Sequence, residues 1–167
     1  MKLSEYLDGL RECTDERILE RDFRMTDNWP VLLFGNPDEL FLKVTNAFRN
    51  SPQENGMREP WQDILRGEVW HRGGCPVERF SYVPGTVEVQ VNKCFNGMYD
   101  VYQNNKINGL DHSVWVMFHP YQEKKMKNVG PSRAMALAIV SFGDYVIREK
   151  LTARFPKGGL NINHVPD

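Results

Sequence analysis

No apolar run in this chain is long enough to span a bilayer, and the N-terminus lacks the charged-then-apolar pattern of a signal peptide. A cytoplasmic protein without a membrane partner is expected. Cysteine is scarce. Cys13, Cys75 and Cys94 are odd in number and widely spaced, which argues against a disulfide framework and for a reducing compartment. Excess charge of one sign is lacking too: Lys+Arg 21 against Asp+Glu 22 leaves a formal net charge of -1. Such a chain does not grip nucleic acid through its overall field, although a local basic patch stays open. Internal repeats, heptads and low-complexity blocks are absent, no stretch carries a diagnostic catalytic or metal-binding signature, and neither cofactor nor metal is expected.

What is present is ordinary globular material. A chain of 167 residues that is 41% hydrophobic and 26% charged fits one α+β domain over 1–167. The 4 Trp, 6 Tyr and 9 Phe residues make an aromatic core or interface. A first helix is expected over 4–13 with Ser4 as its cap. A second starts at Thr14-Asp15-Glu16 and turns Ile18, Leu19 and Phe23 inward. Trp29 to Phe34 is too short for a helix and reads as a buried strand. Asn36-Pro37-Asp38-Glu39 is the clearest helix start, a capping box with proline at the first helical position, running to about Arg49. Residues 50–60 read as a loop, with a short helix after Pro60.

The best-specified strand is Thr86 to Phe95. Val87, Val89 and Val91 alternate with Glu88, Gln90 and Asn92. Asn96-Gly97 signals a type I′ hairpin, whose register would set Lys93 opposite Asp100 and Val91 opposite Tyr102. Ser113 to His119 is a third strand. The fold expected is α+β: an antiparallel meander sheet over about 86–119, packed on a long C-terminal helix over about 131–155, with N-terminal helices before them. That long helix has two apolar stripes. One is Met135, Ile139, Phe142 and Val146; the other is Leu137, Val140, Ile147, Leu151 and Phe155. A helix apolar on two sides is buried between layers or against a partner chain. Residues 158–167 read as an irregular tail.

Candidate chemistry is thin. His71 and Cys75 supply half a zinc site at most, completed only by Cys94, His112 or His119. Cys75 is also a candidate nucleophile with His71 as its base. Ser132 and Arg133, with Lys127, begin the long helix where backbone N–H groups attract anions, although a Gly-Pro-Ser start is most simply a cap. Asp144 sits within the second stripe and is a candidate acid or base if buried, an ion-paired edge residue if not. Glu123 to Lys127 is basic and suits a phosphate backbone or plain solvent. The segment Pro131 to Val146 is similar to the C-terminal region of small phage proteins of the NinX type, which implies a phage protein and carries no function with it.

Two functions follow. The first is a non-enzymatic protein-binding or assembly module, working through a protein partner or self-association. The second is a small enzyme or binding protein for a nucleotide or other phosphorylated ligand, its site drawn from His71, Arg72, Cys75, Arg79, Ser132 and Arg133.

Overall fold

The computed structural model describes residues 1–23, 28–49, 70–72, 75–82, 87–93, 113–120, 131–157 and 160–166. These form helices α1 (Leu3–Glu12), α2 (Glu16–Phe23), α3 (Pro37–Arg49) and α4 (Pro131–Arg148). The strands are β1 (Trp29–Phe34), β2 (Trp70–Arg72), β3 (Cys75–Tyr82), β4 (Val87–Lys93), β5 (Ser113–Pro120), β6 (Thr152–Lys157) and β7 (Leu160–His164). All seven strands join one antiparallel sheet in the order β2-β3-β4-β5-β1-β6-β7. The fold is α+β, with the C-terminal helix packed on the sheet.

The expected meander is the middle of a wider sheet. β4 runs directly against β5, with Val91 opposite Val116, and against β3, with Glu78 opposite Val91. Both sides of Val91 are taken, so the register that paired it with Tyr102 is overturned. An Asn-Gly turn is a local signal; it does not say which later strand takes the ladder. The turn itself, the 50–60 loop and the helix after Pro60 lie outside the described residues.

Helix starts follow their side chains. Asn36 Oδ1 accepts the Glu39 N–H at 3.0 Å, as the capping box requires. The first helix is capped two residues earlier than Ser4 suggested, at Lys2, whose N–H is accepted by Glu5 at 2.9 Å. Gly35 carries φ +149, a backbone that suits glycine, where the chain turns from β1 into α3.

The long helix stops at Arg148, short of the expected 155. Leu151 N–H bonds the Val146 carbonyl at 3.0 Å, Lys150 N–H bonds that of Ile147 at 3.1 Å, and Lys150 takes a left-handed φ of 53. This is a Schellman cap closed by lysine where glycine usually stands. Phe155 is buried, but as part of β6, and the tail expected to be irregular forms β7.

Both stripes of α4 find partners within the chain. Met135, Ile139, Phe142 and Val146 face the sheet side, where Phe142 packs among Phe48, Phe118, Tyr145 and Phe155 at centroid distances of 5.8, 5.7, 5.9 and 6.4 Å. α1 and α2 cover the other side. Val140 is buried there, and Gly143 lets Leu7 approach so closely that a Cβ would overlap it. Leu137 stays exposed, and Ile18, expected inside, is exposed as well.

Candidate functional site on the second sheet face

The two faces of the sheet differ. Val31, Leu33, Val89, Val91, Val114, Val116 and Phe118 point toward the helices. On the opposite face Leu32, Trp115 and Met117 form a second buried cluster with Phe34 packed against it, and no residue of α1–α4 belongs to it. Beside this cluster, strand alternation places a polar strip: Arg79 on β3, Glu88, Gln90 and Asn92 on β4, and His119 on β5. The register sets Arg79 against Gln90, Gln90 against Met117, Glu88 against His119, and Asn92 against Trp115.

Glu88 is the centre of the strip. Gln90 Nε2 donates to it at 2.7 Å and Arg79 Nε lies 3.5 Å away, so one negative and one positive charge answer each other. Across the ladder, His119 Nδ1 lies 2.7 Å from Asn28 Oδ1. An amide oxygen only accepts, so in this orientation of the Asn28 amide the proton is assigned to Nδ1, which leaves Nε2 its lone pair. Burial pushes the imidazole pKa below its ordinary value; Glu88 opposes that shift and Arg79 adds to it. His119 is therefore neutral near pH 7.

On this strip His119 Nε2 and Asn92 Nδ2 are shut off from solvent and have no hydrogen-bond partner within the protein. Asn92 is 4% exposed, in the middle of a valine-lined strand. Leaving such a group unpaired costs about 1–3 kcal/mol. Buried polar groups in folded proteins are satisfied by protein or by ordered water, so a pair of exceptions on neighbouring strands marks a place for a water or a ligand.

Of the ligand-binding residues singled out in the sequence, the two whose side chains are described, Arg79 and Arg133, lie on different sides of the sheet. Arg79 lies in the strip. Arg133, half-buried near the start of α4, belongs to the helical layer on the other side of the sheet. His71 pairs with Pro76 and Arg72 with Cys75 across the β2–β3 ladder, so His71 and Cys75 are not cross-strand partners. The side chains of His71, Arg72, Cys75 and Ser132 lie outside the described residues, as do Cys94, His112 and the basic segment 123–127. Asp144 accepts from Arg11 Nη2 at 2.6 Å, and Arg11 also holds Asp8 at 2.7 Å. These carboxylates raise the Arg11 pKa, Asp144 foremost. Asp144 is half-exposed and ties α4 to α1. Among the described residues no three His, Cys, Asp or Glu side chains gather as a metal site would need, and no helix is long and apolar enough to cross a membrane.

As site residues the sequence reading passed over Glu88, Gln90, Asn92 and Asn28, and it named His119 only as a ligand that could complete a zinc site. One signal was available: asparagine is depleted in strands, yet Asn92 stands between Val91 and Lys93 in the most regular strand of the chain. Comparison with known protein families, curated proteins and solved structures returns no match.

Proposed function

We propose that this chain is a binding protein whose small polar ligand lies on the sheet face opposite the described helices, between Asn92 and His119. The observation that carries this is the pair of buried, unpartnered polar atoms, Asn92 Nδ2 as a donor and His119 Nε2 as an acceptor. Around them Gln90 donates to Glu88 and Arg79 forms an ion pair with it. A cytoplasmic setting fits the widely spaced cysteines. The test is a titration followed by NMR, reading the Asn92 side-chain amide and the His119 ring nitrogens while nucleosides, nucleotides, sugars and sugar phosphates are added. At least one compound is expected to move both signals together. Silence at both residues across the panel would remove the proposal.

Self-association or docking on a protein partner has a different support. A groove of about 230 Å³ between α1 and α2 is lined by Glu5, Leu10, Cys13 and Leu19, with exposed Met1 and Ile18 at its edge. The spare stripe of α4, which first suggested a partner chain, is covered by those same two helices, so on the helical side this proposal rests on the groove alone. A mass in solution equal to one chain at all concentrations, with Ile18→Glu changing nothing, would dispose of it.

A further inference from the structure

We infer that β7 is an interaction edge whose partner is β7 of a second copy of this chain, the two strands running antiparallel about a two-fold axis at Ile162. This stands apart from the ligand proposal and from the groove between α1 and α2. β7 ends the sheet, and β6 is its one strand neighbour among the described residues. Natural edge strands discourage pairing with charged residues, with proline, with bulges or by being very short. The opposite edge is short, since β2 has 3 residues. β7 uses none of these devices. Its sequence, Leu-Asn-Ile-Asn-His, holds no Lys, Arg, Asp, Glu or Pro, and its register with β6 runs unbroken from end to end. α1 reaches β7 on the side of Ile162, which is buried in the same core as α1, while Asn163 on the opposite face is exposed.

Proline decides which backbone groups are spare. Asn161 stands opposite Pro156, which has no N–H to give. Antiparallel pairs alternate between those that exchange both N–H···O=C bonds and those that exchange neither. Asn161–Pro156 and, two residues on, Asn163–Arg154 are therefore of the second kind. The N–H and C=O groups of Asn161 and Asn163 point out of the sheet edge, one residue to either side of Ile162. That pattern is its own complement. With Ile162 opposite Ile162 of the copy, Asn161 of each strand meets Asn163 of the other, and each such pair exchanges both of its bonds. Charge raises no objection. The charged residues of β6, Arg154 and Lys157, stand three strand spacings from those of the copy, about 14 Å, which is more than a screening length.

The experiment is sedimentation equilibrium of the full chain from about 10 μM to about 1 mM. The mass should rise from 19.4 kDa toward twice that value. Over the same range hydrogen exchange at the Asn161 and Asn163 amides should slow by about ten-fold. Asn163→Pro removes an outward N–H and no bond to β6, so it should keep the fold and hold the mass at one chain. Asn163→Lys leaves the backbone intact, should weaken pairing by about ten-fold, and carries the test if the proline variant does not fold. Ile18→Glu, at the groove, should leave the dimer as it is. A mass of one chain throughout would leave the edge to solvent or to a different partner and overturn the inference. A dimer indifferent to both Asn163 variants would overturn it as well, and one lost only with Ile18→Glu would assign self-association to the groove instead.

Discussion

Replacing Asn92 by leucine is expected to make the unliganded protein more stable, an unusual direction for a buried position. The side chain is 4% exposed, and its Nδ2 is enclosed without a partner. Removing an unsatisfied buried donor recovers about 1–3 kcal/mol. Leucine branches as asparagine does but is larger, and the apolar surface it buries beside Trp115 across the ladder contributes about 1.5–3 kcal/mol. Overfilling a packed site costs about 1–3 kcal/mol. The net expectation is a gain of about 1 kcal/mol, seen as a melting temperature about 2–4 °C higher for a chain of this length. Urea unfolding at fixed pH is the assay, with the slope required to match the parent so that the midpoint alone reports stability. The same variant should lose its response to ligand, so stability and binding move in opposite directions, as they do where a site is kept strained for function. A lower urea midpoint for Asn92→Leu would refute the reasoning at its root, because it would show that the amide is already satisfied in the unliganded chain.

Four further outcomes test the fold and the strip. Phe142→Ala removes the ring at the centre of five packed aromatics and should cost about 3–5 kcal/mol in urea unfolding. Gly143→Ala puts a Cβ within 2.6 Å of Leu7 Cδ2, in a site with no slack, and should cost about 1–3 kcal/mol; Leu7→Ala in the same chain should cost less than it does alone. Asp144→Asn breaks a half-exposed ion pair to Arg11 and should change stability by no more than about 1 kcal/mol and ligand response not at all, which separates an edge residue from an acid or base. The folded-state pKa of His119 lies below 6.5, so the unfolded chain takes up more protons as the pH falls through that value, and stability should drop over that interval until the folded pKa is passed. His119→Phe should flatten that part of the curve of urea midpoint against pH; an unchanged slope would show that His119 does not titrate as described.

The parts of the fold that could be read from the sequence are those where side chain and backbone agree locally. The Asn36 box, the Trp29 to Phe34 strand and the valine alternation of β4 all lie where their residues placed them. What could not be read depends on pairing at a distance. The Asn-Gly turn gave no means of knowing that β5 would lie against β4. Lys150 in a left-handed conformation gives no composition signal, so the periodicity of α4 ran on through Leu151 and Phe155, where a new strand begins. A strand and a helix both bury Phe155; only the cap tells them apart.

The strip was hidden for a related reason. Alternation in β4 separates two faces, and the polar one reads as solvent-facing whenever a single strand is considered. Its meaning changes once β3 and β5 are set beside it, because Glu88 then meets Arg79 and His119, and Asn92 meets Trp115 with no group left for its amide. The sheet also divides the arginines that sequence reasoning had pooled into one anion site: Arg79 is on the face of the strip, and Arg133 belongs to the helical layer. A phosphate site would therefore draw on one of these two arginines and not on both. What the strip itself holds is the Arg79–Glu88 pair and two enclosed polar atoms without partners, Asn92 Nδ2 and His119 Nε2, a combination that becomes visible only when three strands are set side by side.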